Sequence, residues 1–590
     1  MDDSAKALPH EDALPEALTD LLSRVSRPGR YVGGEFNARQ KVDGHPRVVL
    51  SYPDVYEIGI SNPALQILHT RLNDDSSAVC ERAFCPWPDM AAAMRAAGKR
   101  LWSLESYADV GDCDLWGFTL PHELTYTNIL EMLDLAAVPL HAADRGDGDP
   151  IVLGGGPGTA NPLPLASFFD AFFVGEVEDR LSEIVAAFAA TTRAQRLRDL
   201  AAVPGVWLPG SRAPAERQVF MGFSRSLPVT EPLVPVLEAV HDRAVIEVMR
   251  GCTAGCRFCQ AGMWYRPVRE RPVDLVVEAA DRTLAATGCD EVSLISLSSC
   301  DYSGIEAAVT AIRALRPGLR VSLPSLRIAS AAVQLARLGG EQRGSVTLAP
   351  EAGTQELRDA INKGVDDESF EEAVRATFTS GFTGLKLYFM IGLPGEDESA
   401  VRAIAEMAVR AAAIAKRIAR GRARLSLAVS SYVPKANTPF QWERFAGKSV
   451  LRERQALLRA AVPRGVRVSF HDIGASVVEA ALARGDVDAS ALIESAWRHG
   501  ARFDGWSEHF KLDAWRAAAS ELGQDLDEIA SRAPAGDMPW EAAITARIDR
   551  DFLIAERGKA ATREQTMDCR TGACALCGAC LDDVQMDVVG

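Results

Sequence analysis

The chain has 590 residues, 47% hydrophobic and 24% charged, with a formal charge of −16. That length exceeds one ordinary core, so two or three domains are expected, and the composition excludes a disordered or fibrous chain. The acidic surplus disfavours general nucleic-acid binding. The amino terminus, acidic at Asp2, Asp3 and Glu11, has no cationic stretch leading into an apolar core, so no signal peptide is expected. The longest uncharged run, Pro150 to Phe169, is broken by Gly154, Gly155, Gly156, Pro157, Gly158, Pro162 and Pro164 and cannot form a spanning helix. A soluble, cytoplasmic protein is expected, and its thiols should therefore be reduced.

Residues 1–28 read as a polar tail. Over residues 29–203, apolar runs alternate with helical patterns. Arg47 to Tyr52, Asp114 to Phe118, Ile151 to Leu153 and Ala171 to Val174 read as strands, and Pro63 to Leu72 and Leu124 to Leu135 as helices. Strands ending at glycines and alternating with helices predict an open parallel sheet of Rossmann type. Residues 204–240, with six prolines at 204, 209, 214, 228, 232 and 235, read as a linker.

A second α/β region follows over residues 241–470. Its candidate strands are Val245 to Met249, Glu291 to Ser296, Arg320 to Leu323, Ser345 to Ala349, Leu385 to Ile391 and Arg424 to Val429. Helical stretches separate them, which predicts a (βα)6 partial or full TIM-like barrel. Residues 471–560 turn helical, with Trp497, Trp506, Trp515 and Trp540 spaced through them, and residues 561–590 form a cysteine-rich tail.

The 12 cysteines are unevenly spread. Cys252, Cys256 and Cys259 follow directly on the first barrel strand, at its catalytic end. Three thiolates on one short loop can hold three corners of a cubane iron–sulfur cluster and leave one iron open. A closed zinc site needs a fourth ligand, and no nearby His or Cys supplies it at the usual spacing. At the other end, Cys569, Cys574, Cys577 and Cys580 give C-x4-C-x2-C-x2-C, a compact run suited to a second iron–sulfur cluster or to one zinc. Gly154 to Gly158 after a strand is either a cradle for a ligand's tail or a plain turn.

The C-x3-C-x2-C loop on a barrel strand resembles the radical S-adenosylmethionine (radical SAM) superfamily. Further phrases resemble a bacterial B12-binding-domain radical SAM family of unassigned function. They include Tyr52 to Asn62, Ala261 to Arg271, Ser322 to Arg327, Ala349 to Thr354, Ile361 to Gly364, Lys386 to Pro394 and Val433 to Trp442. The resemblance covers roughly residues 30 to 580, as so many separate phrases are matched. It implies a 4Fe–4S cluster on Cys252, Cys256 and Cys259 whose open iron chelates S-adenosylmethionine, with reduction yielding a 5′-deoxyadenosyl radical. A low-potential donor such as flavodoxin or ferredoxin is implied as reductant. By position, Ser296 and Ser298 after strand two, Arg327 after strand three and Glu351 after strand four are expected to contact the cofactor. Ile391 and Gly392 after strand five, and Val433 after strand six, are expected near the adenine. Helix caps and tight turns are the alternative roles for these positions.

The same resemblance makes the first domain a Rossmann-like cobalamin-binding domain, with Thr119, Gly154, Gly155, Gly156, Gly175 and Glu176 at the cofactor. The D-x-H-x-x-G signature, whose His ligates cobalt, is missing: Asp43-Gly44-His45 precedes the first strand, and His122 lacks the motif. A lower axial ligand from the protein is therefore not expected. Among the basic groups Arg266, Arg269, Lys363, Lys386 and Lys435, Lys386 is the expected catalytic residue, since it falls within a barrel strand where an unpaired charge is costly. The implied function is cobalamin-dependent methylation of an unactivated carbon. A cobalamin-associated rearrangement, ring closure or thiolation is the alternative enzyme, and a non-catalytic cobalamin or redox sensor the alternative class.

Overall fold

The computed structural model describes residues 15–239, 243–323, 327–328, 344–419, 423–534 and 536–589. Pro324, Ser325 and Leu326 of the matched phrases lie outside these described residues.

The first domain is built on a six-stranded sheet in the order β2-β1-β3-β4-β5-β6. β1 (Arg47–Tyr52), β2 (Val79–Phe84), β3 (Leu115–Thr119), β4 (Ile151–Gly155) and β5 (Ala171–Phe173) are parallel, and β6 (Val206–Trp207) is antiparallel to β5. The sheet thus extends into the segment read as a plain linker. β2 was not foreseen because Glu81 and Arg82 interrupt its apolar run. Arg82 is wholly buried but doubly paired, to Glu35 at 2.7 Å and Glu105 at 2.6 Å, which offsets its desolvation. Next, β7 (Ala215–Glu216) pairs with β17 (Ile544–Thr545) and ties the end of the helical region to this connector.

Among the described residues, seven strands of the second domain form two parallel sheets. β8 (Ala244–Glu247), β11 (Glu291–Ile295) and β12 (Arg320–Ser322) make one sheet, in which β11 is central. β13 (Ser345–Glu351), β14 (Gly384–Ile391), β15 (Arg424–Ser431) and β16 (Arg467–Phe470) make the other. The two-stranded ribbon of β9 (Met249–Arg250) and β10 (Arg269–Glu270) brackets the cysteine loop. All six expected strands are present, shifted by up to two residues, and β16 is an added seventh.

Strand parity places the core. Val292 and Leu294 pack outward with Val276, Ala280 and Ile312 of the flanking helices. Val346, Leu348, Leu385, Leu387, Leu425 and Leu427 do so against Phe370, Val374, Val401 and Ile404. In the helix Glu398–Ala419, Val401, Ile404, Ala408, Ala411 and Ala415 are buried at spacings of three and four, the stripe a sheet-packing helix needs. The opposite strand faces, with Thr347, Lys386, Tyr388 and Ser426, remain half-buried or exposed. Helical segments from Ile473 onward pack on the first domain: Trp515 and Thr127 both donate to the buried carboxylate of Asp504, at 3.1 and 2.7 Å.

Candidate active site

The cysteine loop leaves β9 through Gly251, whose φ is +90°; a Cβ there would lie 2.4 Å from the carbonyl oxygen of Pro267. Only glycine fits such a turn. Cys259 caps the short helix Gln260–Trp264, its Sγ accepting from the Gly262 N–H at 3.3 Å. Burial, and next the Cys256 thiol, push the Cys259 thiol up to about 12, and the same two causes raise Cys252. Iron would supply positive charge to thiolates clustered on this loop. Among the described residues, no three His, Cys, Asp or Glu side chains converge tightly enough to hold a single metal ion. The three-sulfur donor set on one loop fits a cluster instead.

Neighbouring side chains fix the loop. Asn362, in the left-handed region at φ +54°, donates through Nδ2 to the carbonyls of Ala254 and Gly255, both at 3.2 Å. Arg257, between two of the cysteines, is wholly buried and donates to Glu556 at 3.1 Å and to the carbonyls of Asp359, Ala360 and Glu564. Lys363 pairs with Glu351 at 3.0 Å. Burial opposes its charge, but Glu351 and then the Cys256 thiol hold its pKa above the ordinary lysine value. Arg327 pairs with Asp301 at 3.0 Å, and Asp301 accepts from the Ser298 hydroxyl at 2.6 Å. Cys256 and Cys252 also act on Arg327 electrostatically.

Of the residues expected at S-adenosylmethionine, Ser298, Arg327 and Glu351 thus fall in networks beside the loop. Ser296 bonds Ser299 at 3.3 Å and the Ser298 N–H at 3.0 Å, shaping the turn after β11. Ile391 offers its carbonyl to the Tyr432 N–H, and its side chain lies in the core with that of Val433. Gly392, at φ +89°, donates its N–H to Glu396 at 2.6 Å. Lys386 is half-buried, its ammonium 4.7 Å from the centre of the Tyr388 ring. Lys435 is tied between Glu123 at 2.6 Å and Glu479 at 2.7 Å, and Arg269 belongs to Glu176.

Two adjoining cavities lie over the carboxyl ends of the first-domain strands, one at β3 and β4 and the other at β1 and β3. One, of about 230 Å³, is lined by His122, Glu123, Pro157 and Gly158 of the first domain and by Gln260, Lys435 and Glu479. Gln260 directly follows Cys259, so this cavity reaches the cysteine loop. The other, of about 500 Å³, is lined by Asp54, His122, Leu124, His471, Glu479 and Trp506. His122 faces both cavities, and enclosure by protein lowers its pKa. A Cβ at Gly155 would meet open space, whereas one at Gly158 would lie 2.7 Å from Leu120 Cβ. Pro157 and Gly158 line the cavity at the strand ends, the place where ligands sit in open α/β sheets.

The other residues expected at cobalamin do structural work. A Cβ at Gly175 would lie 2.2 Å from the Gln218 carbonyl, and one at Gly154 2.8 Å from the Phe172 ring. Gly156 adopts φ +93° beside Leu120 and Thr119. Glu176 is buried and bonded by Arg269 through both oxygens, at 2.6 and 2.9 Å, and by the Phe220 N–H at 2.8 Å. Burial works against its charge, yet Arg269 and Arg250 hold it down at about 2. Both oxygens of its carboxylate are engaged by protein groups, and the pair with Arg269 joins the two domains. Asn362, Arg257 and Asp301 went unforeseen, although Asn362 lies inside a matched phrase.

The tail returns to this site. Its Asp568 accepts from the Thr253 hydroxyl at 2.6 Å, and its Thr566 exchanges backbone bonds with the Asn362 amide at 2.9 and 3.1 Å. Cys577 is buried, Cys569 half-buried, and Cys574 and Cys580 exposed.

Family models match two stretches of the chain: residues 64–209 as "Radical SAM proteins, N-terminal" and residues 246–408 as the radical SAM superfamily. An uncharacterized protein of Methanocaldococcus jannaschii is 25% identical over 457 residues, covering 76% of this chain and 90% of that one. An uncharacterized protein of Methanopyrus kandleri is 26% identical over 317 residues, covering 44% and 57%. Among solved structures, the radical S-adenosylmethionine methyltransferase TsrM from Kitasatospora setae, with cobalamin and a 4Fe–4S cluster bound, is 16% identical at a TM-score of 0.49, covering 81% of this chain and 99% of that one. The cobalamin-dependent S-adenosylmethionine radical enzyme OxsB with aqua-cobalamin bound is 14% identical at 0.49, covering 77% and 68%.

Proposed function

We propose that this chain, which belongs to the radical SAM superfamily, is a cobalamin-dependent methyltransferase acting on an unactivated carbon. The observation that carries the reading is the cavity over β3 and β4, which runs from the carboxyl ends of these strands to Gln260 beside the cysteine loop. When bound, a 4Fe–4S cluster on Cys252, Cys256 and Cys259 supplies the electron that cleaves S-adenosylmethionine, and cobalamin supplies the methyl group.

The chain's own groups prepare that chemistry. Asn362 and Arg257 hold the loop backbone in place, so the thiols need not reorganise. Glu351, Lys363, Ser298 and Arg327 offer charges and hydroxyls of both signs for an amino-acid end group beside the loop. Lys435 pairs with Glu123 and Glu479 at the cavity wall and holds the Glu479 carboxylate low against burial. Lys386, on the inner face of β14, is the proposed catalytic cation near substrate. The electron donor is a low-potential protein of flavodoxin or ferredoxin type. Among the described residues no helix is long and apolar enough to cross a membrane, and a cytoplasmic setting suits the reduced thiols.

The test is product analysis on anaerobically reconstituted protein supplied with cobalamin and an extract of small metabolites and peptides. Methylation yields S-adenosylhomocysteine together with 5′-deoxyadenosine. Deoxyadenosine alone, with a substrate consumed, refutes the methylation half and leaves a rearrangement or ring-forming enzyme.

A further inference from the structure

We propose that Cys569, Cys574, Cys577 and Cys580 hold a second iron–sulfur cluster that passes electrons to the catalytic cysteine loop. The inference rests on Cys252, Cys256 and Cys259 holding the first. The four tail thiols fall within a dozen residues, and Cys569 and Cys580 each interact electrostatically with Cys574 and Cys577. The fold holds them in a set arrangement. Cys577 is part of the main core, its carbonyl accepts from the Asp549 N–H at 2.9 Å, and Gly578 turns at φ +83° against the Asp549 carboxylate. Beyond the last cysteine, the Glu270 N–H donates to the Asp587 carbonyl at 2.7 Å and the Asp587 N–H to that of Val268 at 3.0 Å, so the tail is laid alongside β10.

The occupant follows from the spacing of the cysteines in the chain. Their C-x4-C-x2-C-x2-C run is compact like the cysteine runs that hold iron–sulfur clusters, whereas paired zinc knuckles set a longer loop between two C-x2-C pairs. A cluster on four thiolates is anionic and calls for a buried cation. Arg266 meets that need: it is 3% exposed, it acts electrostatically on both Cys569 and Cys580, and its Nη2 lies 3.7 Å from where a Gly255 Cβ would be. One guanidinium therefore stands between the two cysteine groups, while its Nε donates to Gly262 in the helix that Cys259 caps.

A relay, and not substrate anchoring, follows from the position. The tail touches the catalytic loop itself, through Asp568 to Thr253 and Thr566 to Asn362. The two cavities at the first-domain strand ends have no tail residue in their walls. Cys574 and Cys580 face solvent, with Leu576 at 78% and Leu581 at 50% exposure beside them. In the proposed step, one electron leaves a reduced flavodoxin-class donor, reduces the tail cluster, and moves on to the loop cluster. The tail cluster returns to its oxidised state, and no bond or proton changes.

The experiment compares reconstituted wild type, Cys574→Ala/Cys580→Ala and Cys252→Ala/Cys256→Ala as full chains. Both substituted tail cysteines are exposed, so the core is left intact. Chemical iron analysis is expected to give the wild type about two to four more iron atoms per chain than the tail variant. The loop variant is expected to keep that tail iron, with its own paramagnetic resonance signal on reduction. The ratio of flavodoxin-driven to dithionite-driven S-adenosylmethionine cleavage should fall at least tenfold in the tail variant. Equal iron in wild type and tail variant, or about one zinc per chain lost with the tail cysteines, overturns the cluster. An unchanged ratio overturns the relay. Tail iron retained in a wild type that cleaves no S-adenosylmethionine would instead refute the proposed function and leave the second cluster standing.

Discussion

Removing the Asn362 amide should loosen two distant segments together. Its Nδ2 serves the Ala254 and Gly255 carbonyls at 3.2 Å, and its Oδ1 accepts from the Thr566 N–H at 2.9 Å. The residue is 4% exposed, so these partners lose their bonds without regaining water. Two to three such bonds at about 1 kcal/mol each give about 2–3 kcal/mol for Asn362→Gly. Asn362→Ala keeps the same loss and adds about 1 kcal/mol, because alanine resists the left-handed region that φ +54° requires. At 1.4 kcal/mol per tenfold, local opening should rise about 30- to 150-fold for glycine and a further fivefold for alanine. Amide hydrogen exchange read by mass spectrometry checks this over residues 252–259 and 564–570. Rates within threefold of wild type, or loosening of one segment without the other, would refute the claim that Asn362 couples loop and tail.

Three further changes probe other parts of the account. Asp504 is buried, and burial raises it from 3.8 to about 6. Its contribution is present below the unfolded pKa and lost as pH rises through 6, by about 3 kcal/mol for a shift of about two units. Urea melts of wild type against Asp504→Asn between pH 4 and 7.5 should therefore converge on the acid side and separate in the variant's favour above pH 6, less whatever its Thr127 and Trp515 bonds are worth. Lys435→Met leaves Glu123 and Glu479 unpaired at the cavity wall, costing about 2 kcal/mol at pH 8 for groups this partly exposed. Glu479 is held below its ordinary 4.5 by Lys435 against burial, so the native pair's benefit starts to fade only below that value, and the two proteins should converge only as pH falls on through the lowered one. Gly155→Leu, entering open space, should melt like wild type yet bind aquocobalamin at least tenfold more weakly by absorbance titration, whereas Gly158→Ala, driven against Leu120, should lower the melting temperature itself.

The strands that build the fold were largely legible because each carries an apolar alternation or run: Val346, Leu348, Leu385, Leu387, Leu425 and Leu427 all turn to the flanking helices. β2 escaped because Glu81 and Arg82 read as surface charge, and only the partners Glu35 and Glu105 make their burial tolerable. β16 escaped because Arg467 and Ser469 are exposed on an edge strand of four residues. The cysteine loop was legible because its spacing is local. The groups that hold it were not: Thr253 and Asp568 are 315 residues apart, and no local pattern announces such a contact. Glu176 is similar: the resemblance put it at a cofactor, while its two-pronged bond with Arg269, a contact between domains, has no local signal in the sequence.

The most direct test concerns the loop itself. Anaerobically reconstituted, reduced wild-type protein should convert S-adenosylmethionine to 5′-deoxyadenosine, measured by chromatography with mass detection, and Cys256→Ala should show no formation above the protein-free control. Full cleavage by Cys256→Ala, or none by a wild type carrying its loop iron, would contradict the reading of Cys252, Cys256 and Cys259 as the catalytic centre.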